Sequence, residues 1–185
     1  MKQLINPKTD SYNEAKEFIL GAFFPWYWND HFVYKNDLRE AVVDTHLDYY
    51  REGKGGQDVP FLTHAFLNRP KPGEMHPTVN SKYASGFRNV LNEIFDYNNI
   101  DVKLIYRMNA NLMQAVVGYT RTFSHVDHPF PHKNLIIYLT NVGGDTVCGK
   151  ERHRPQEDDI ITFEGVHYNM LPKKGRRIVL VATYL

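Results

Sequence analysis

Residues 124–134, SHVDHPFPHKN, bring three histidines and one aspartate into a short segment. His125 and Asp127 are two apart. On a β-strand that spacing puts both side chains on one face, roughly 7 Å apart along the chain, close enough to converge on a single ion. Two imidazoles and one carboxylate on one face of an octahedron suit non-haem Fe(II) and leave three positions for other ligands. A second histidine must then come from elsewhere. His167 is the best candidate, because it follows Ile160-Ile161-Thr162-Phe163-Glu164-Gly165-Val166, a strand and a glycine bend that can return an imidazole to the same mouth.

The other histidines fit metal chemistry less well. A lone His-x-Asp is a weak signal, since it occurs by chance in many chains. His128 and His132 are four apart and on a helix would form a zinc-type pair. Pro129 and Pro131 break any helix there. His153 lies in the polar stretch GKERHRPQEDD and reads as a solvated loop residue. His31, His46, His64 and His76 show no ligand spacing and read as packing or surface residues.

A basic pair, Arg176–Arg177, opens the last apolar stretch about ten residues beyond His167. An arginine that points into a core is costly unless it meets an anion. Its planar guanidinium can hold a carboxylate through two parallel charge-assisted bonds.

The elements that would position these residues differ between the two halves. Up to about residue 98 the pattern is helical. Ser11 with Glu14 reads as a capping box, followed by Ala15, Phe18, Ile19, Ala22 and Phe23 at helical spacing and stopped by Pro25. Asp37 and Glu40 open a second segment with Leu38, Ala41, Val42 and Tyr49. The clearest helix is predicted over 81–97, with Tyr83, Phe87, Val90, Leu91, Ile94 and Phe95 on one stripe. Residues 51–80 read as loop, with a short strand at 61–66. From Val102 onward the texture is β, with strands predicted at 102–106, 114–123, 135–140, 160–163 and 178–184 and turns at 143–145 and 172–175. Helices followed by short strands predict an α+β fold, a jelly-roll barrel buttressed by N-terminal helices. One domain over 1–185 is expected, with 1–100 as the helical buttress and 101–185 as the core that carries the metal site.

At this point the chain resembles a known family. His125-Val126-Asp127, Tyr138-Leu139-Thr140-Asn141, Phe163-Glu164-Gly165-Val166-His167 and Gly175-Arg176-Arg177 look like the Fe(II)/2-oxoglutarate oxygenases, nearest to the prolyl-4-hydroxylase-like members, including small phage-borne ones. The resemblance covers about residues 104–184. It implies a double-stranded β-helix, iron on His125, Asp127 and His167, and 2-oxoglutarate as cosubstrate, with ascorbate as a candidate auxiliary. Either arginine fits by count as the anchor of the distal carboxylate. The family's Gly-x-Arg spacing selects Arg177, with Val179, Val181 and Thr183 on its inward face and Arg176 facing solvent. Tyr138 matches the family's cosubstrate tyrosine, and Ile136 shares its face. Tyr119 has the parity of His125, so an unbroken strand would make it a secondary cosubstrate residue. The implied reaction consumes dioxygen and 2-oxoglutarate and hydroxylates a C–H bond. A prolyl residue in a peptide or protein is the family-level substrate.

Composition agrees with a globular chain. Of its 185 residues, 42% are apolar and 14% aromatic, and the net charge is +1. That balance calls for neither nucleic acid nor an anionic membrane as a partner. No apolar run approaches the roughly 18 residues of a membrane span. A single cysteine, Cys148, fits a reducing, cytoplasmic setting and a packing role. The aromatic stretch 24–28 and Pro129-Phe130-Pro131 are candidate lid or peptide-cradle segments. Two rivals are a cupin-like metal enzyme without 2-oxoglutarate and a non-catalytic jelly-roll binding or structural protein.

Overall fold

A run of alternating side chains in the last strand organises the molecule. The computed structural model describes residues 1–32, 58–70, 74 and 76–185, and the helix expected around 37–50 falls outside them. In β11 (Arg176–Tyr184), Ile178, Leu180, Ala182 and Tyr184 face one side, and Arg177, Val179, Val181 and Thr183 face the other. The first set joins a large apolar core beneath two helices, and the second faces the interior.

β11 sits near the middle of an eight-stranded, antiparallel sheet. Along the sheet lie β1 (Lys2–Leu4), β9 (Ile160–Phe163), β6 (Lys133–Tyr138), β11, β5 (Ile105–Gln114), β3 (Phe61–Asn68) and β2 (Tyr27–Asn29). The short β4 (Thr78–Val79) pairs with β3. A smaller sheet orders β10 (His167–Asn169), β7 (Thr146–Cys148) and β8 (Glu151–His153). Residues 120–125 extend it beyond β10. Thr122 N–H donates to Asn169 O at 2.9 Å, Leu171 N–H to Thr120 O at 2.9 Å, and His125 and His167 exchange both backbone bonds at 2.9 Å.

Two helices cover the outer face of the larger sheet. In α1 (Asp10–Leu20) the cap is Thr9, whose Oγ1 accepts from Tyr12 N–H at 3.3 Å. Ser11, expected as the cap, lies in the first turn, and its hydroxyl and that of Thr9 both donate to Glu93 of the second helix. That helix, α2 (Ala84–Tyr97), presents Phe87, Val90, Leu91, Ile94 and Phe95 to the sheet, the stripe read from the sequence. Each fully buried side chain of this size contributes about 1.5–3 kcal/mol.

Three expectations change. The N-terminal half is not only a helical buttress, since β1, β2, β3 and β4 all join the larger sheet. Within β3, His64 and Phe66 are buried, and His64 is held by Pro25 O at 2.8 Å and Ser81 Oγ at 2.9 Å. The strand expected over 114–123 is broken: β5 ends at Gln114, and a turn with Gly118 at φ +84° intervenes before residues 120–125. His153 lies on β8, with Nε2 3.1 Å from Asp159, rather than in a solvated loop. Cys148 ends β7, half-buried against Ile136, Tyr138 and Phe163.

The turn before β9 is stapled to α1. The Asp158 carboxylate accepts from Tyr12 Oη at 2.6 Å and from Lys16 Nζ at 2.5 Å, and it pairs with Lys8 Nζ at 2.9 Å. Burial alone would raise its pKa. The bonds from Lys16, Tyr12 and Lys8 outweigh that and bring it down to about 2. A depressed carboxyl pKa stabilises the folded chain above the unfolded value near 3.9, and that contribution disappears as pH falls through about 2. Asp158→Asn is expected to cost about 2 kcal/mol at pH 7, with a gap to wild type that narrows below pH 4. Urea unfolding of both proteins at pH 7 and pH 3 checks this, and an equal gap at the two pH values would refute it.

Candidate metal centre

His125 and His167 are neighbours across the smaller sheet, joined by their own backbone bonds, with ring centroids 4.4 Å apart. Each ring is oriented in the same way. His125 Nδ1 lies 3.1 Å from Phe123 O, and His167 Nδ1 lies 3.1 Å from Gly165 O. A carbonyl can only accept, so both Nδ1 atoms carry the proton and both Nε2 atoms keep a lone pair for a metal. Gly165, at φ +92°, makes the bend that leads into β10. Asp127 follows two residues after His125, with Oδ2 3.6 Å from His167 Nε2. One ligand atom from each of the three residues lies within 4.8 Å of the other two. Two imidazole nitrogens and a carboxylate oxygen at that spacing fit a divalent first-row ion.

Electrostatics favour the ligating forms. Burial would raise the Asp127 pKa, but Arg107 and the surrounding histidines hold the carboxyl well below its usual range. Burial, and then His125, lower His167 to about 4, so its imidazole is neutral at neutral pH. Arg107 Nη1 donates to Asp127 Oδ1 at 2.9 Å.

A cavity of about 100 Å³ opens between the two sheets beside these ligands. Ile136, Val179 and Val181 line it from the larger sheet, and His167 and Asn169 from the smaller one. Arg177 shares this cavity and is 2% exposed. Its Nε donates to Gly144 O at 2.8 Å, and its Nη2 donates to Thr146 Oγ1 and Asn169 Oδ1, both at 3.0 Å. Tyr138 Oη donates to the same Thr146 oxygen at 2.7 Å, and its ring centroid lies 5.3 Å from the guanidinium. Every one of these partners is neutral. Among the described residues, no carboxylate lies within ion-pair distance of Arg177. Gly144 makes room for the side chain: at φ +86°, a Cβ there would lie 2.7 Å from Arg177 Cδ and 2.9 Å from Met170 O.

Of the residues singled out in the sequence, His125, Asp127, His167, Ile136 and Arg177 meet at this cavity, while Arg176 is exposed. Tyr138 is buried behind it, against Arg177 and Thr146. Tyr119 does not join them. It sits 37% exposed on the turn that interrupts the expected strand, so parity with His125 is lost. Pro129 lines the cavity. Within 24–28, Phe24 packs in the core while Tyr27 and Trp28 are exposed. Sequence reasoning missed Arg107, Asn109, Asn111, Thr146 and Asn169. Part of the signal was present: in IYRMNANLMQ the polar residues 107, 109 and 111 recur at the period of a strand.

No family model matches the sequence, and no curated protein matches it. Solved structures do match the fold. A crystal structure of a 2OG-Fe(II) oxygenase family oxidoreductase from Burkholderia pseudomallei matches at TM-score 0.56 and 15% identity, covering 100% of this chain and 95% of that one. A viral collagen prolyl hydroxylase from Paramecium Bursaria Chlorella virus-1 matches at TM-score 0.45 and 13% identity, over 86% of this chain and 94% of that one. A Pseudomonas putida prolyl-4-hydroxylase matches at TM-score 0.41 and 15% identity, over 93% and 97% of the two chains. The chain therefore shares the fold of the Burkholderia 2OG-Fe(II) oxygenase family protein.

Proposed function

We propose that this chain is an Fe(II)- and 2-oxoglutarate-dependent dioxygenase that hydroxylates an unactivated C–H bond. The observation that carries the proposal is the juxtaposition of a two-histidine, one-carboxylate cluster with Arg177, a buried cation whose partners are all neutral. A dicarboxylate resolves both features at once. One end can complete the metal's coordination while the other meets the guanidinium, whose burial is otherwise offset by neutral hydrogen-bond partners and no ion pair. A cupin-like enzyme without such a cosubstrate leaves Arg177 without an anion.

In this assignment His125, Asp127 and His167 hold the iron, and Arg177 anchors the distal carboxylate of 2-oxoglutarate. Thr146 and Asn169 fix the plane of the guanidinium, with Tyr138 behind it. Ile136, Val179 and Val181 keep the cosubstrate's methylenes out of water. When bound, the pair supplies oxidative chemistry in which 2-oxoglutarate and dioxygen give succinate, carbon dioxide and one oxygen atom inserted into substrate. We read the two sheets as the double-stranded β-helix barrel of such enzymes, and residues 1–185 as one domain. Prolyl hydroxylation of a peptide or protein is the specific reaction we assign, on the strength of the sequence resemblance.

Two measurements test this. Asp127→Ala is expected to abolish stoichiometric Fe(II) binding while the circular dichroism of the fold is retained; full metal binding by the variant would remove Asp127 from the site. For Arg177, 2-oxoglutarate affinity is measured anaerobically with Fe(II). Breaking a buried charge pair costs about 3–5 kcal/mol, so Arg177→Ala is expected to lose a few hundred-fold to a few thousand-fold. Arg177→Lys recovers part of that loss, because an ammonium cannot reproduce the forked contact. Arg176→Ala changes little. Equal binding by all three variants, or none by the wild type, would overturn the cosubstrate assignment.

A further inference from the structure

The interior face of β5 carries polar side chains where its neighbour carries valines. Across the β5–β11 pair, Asn111 lies opposite Val179 and Asn109 opposite Val181. Both asparagines are buried, at 5% and 3% exposure, in positions where an apolar residue would pack without a hydrogen-bonding demand. They belong to a chain of hydrogen bonds that starts on β3 and ends at Asp127. Thr63 Oγ1 donates to Asn111 Oδ1 at 2.7 Å, and Asn109 Nδ2 donates to the same oxygen at 2.6 Å. Asn109 Oδ1 accepts from Arg107 Nε at 3.0 Å, and Arg107 Nη1 donates to Asp127 Oδ1 at 2.9 Å.

The two oxygens of Asp127 therefore do different things. Oδ2 converges with His167 Nε2, while Oδ1 is held by Arg107. An oxygen that accepts a charge-assisted bond is a poorer metal donor, and swinging it toward an ion would break that bond. A carboxylate free to attach through both oxygens would take a fourth position on a six-coordinate ion, leaving two positions open rather than three.

Building on the metal site assigned above, we propose that Arg107 is a positioning residue that restricts Asp127 to one-oxygen attachment, with Asn109, Asn111 and Thr63 fixing Arg107 in place. The row of asparagines gives the arginine one orientation, and the arginine gives the carboxylate one. Arg107 touches neither the metal nor the cosubstrate in this scheme. It acts by keeping coordination positions open for other ligands.

Co(II), loaded anaerobically in place of Fe(II), provides the probe, because its visible spectrum reports coordination number without turnover. Arg107→Ala is expected to bind Co(II) with an altered spectrum, showing an added protein oxygen, and to bind 2-oxoglutarate about tenfold or more weakly. Arg107→Lys, which keeps a charged donor to Oδ1, is expected to fall between it and the wild type. Asn109→Ala is expected to shift both readouts in the same direction by less. If Arg107→Ala does not fold, Arg107→Lys and Asn109→Ala carry the comparison alone. Folded variants with the wild-type spectrum and wild-type 2-oxoglutarate affinity would make Arg107 a purely structural ion-pair partner and overturn the proposal. Complete loss of Co(II) from a folded Arg107→Ala would also overturn it, because a relaxed Asp127 must still bind. Wild-type protein that binds neither Co(II) nor Fe(II) would instead refute the metal site on which the proposal rests.

Discussion

A guanidinium enclosed between two sheets, with only neutral hydrogen-bond partners, sets the terms for much of this structure. Arg177 is costly to bury, and its surroundings are built to limit that cost without cancelling its charge. Thr146 accepts from both Arg177 and Tyr138 and donates to Asn169, so one hydroxyl ties together β11, β6, β7 and β10. Gly144 supplies a carbonyl and, by lacking a Cβ, the space for the arginine's stem. The positive charge is left available to whatever enters the cavity.

The fold delivers this site through the two-residue repeat of its strands. In β11 and β6, one set of side chains anchors the helices and the other set lines the cavity, so stability and the site are written on opposite faces of the same residues' backbone. Loosening Phe95 of α2 from Tyr184, whose ring centroids lie 4.8 Å apart, would therefore disturb the cavity-facing side chains of β11 through the strand they share. The region that resists change and the region that carries chemistry are separated by one sheet.

The sequence was most legible where a pattern is local. The α2 stripe, the strand over Ile160–Phe163 and the shared face of His125 and Asp127 follow from spacing along short segments. The inward face of Arg177 was legible only through the family resemblance, and His167 only through the strand and glycine bend before it. Long-range pairing was harder to read. The place of β3 between β5 and β2 depends on partners far away in the chain, and nothing near Phe61 announces it. Tyr119 failed because parity holds only along an unbroken strand, and Gly118 ends that continuity. Thr146 and Asn169 were invisible because a single threonine and a single asparagine carry no periodicity; only the folded sheet brings them to one guanidinium.

The direct backbone pairing of His125 with His167 has a further consequence for how the chain can vary in length. Since two sheet neighbours exchange both their N–H and C=O groups, the separation of the two imidazoles is fixed by sheet spacing rather than by loop conformation. The bridges Arg121–Met170 and His125–His167 already differ in register by one residue, so a further residue added there without a compensating bulge would turn an imidazole from the cavity to the opposite face. The exposed turn around Val117 and Gly118, and the Lys173–Lys174 turn before β11, lie outside that paired stretch. Those two turns lie together at the Thr120–Leu171 end of the ladder, away from the His125–His167 bridge that sets the distance between the two imidazoles.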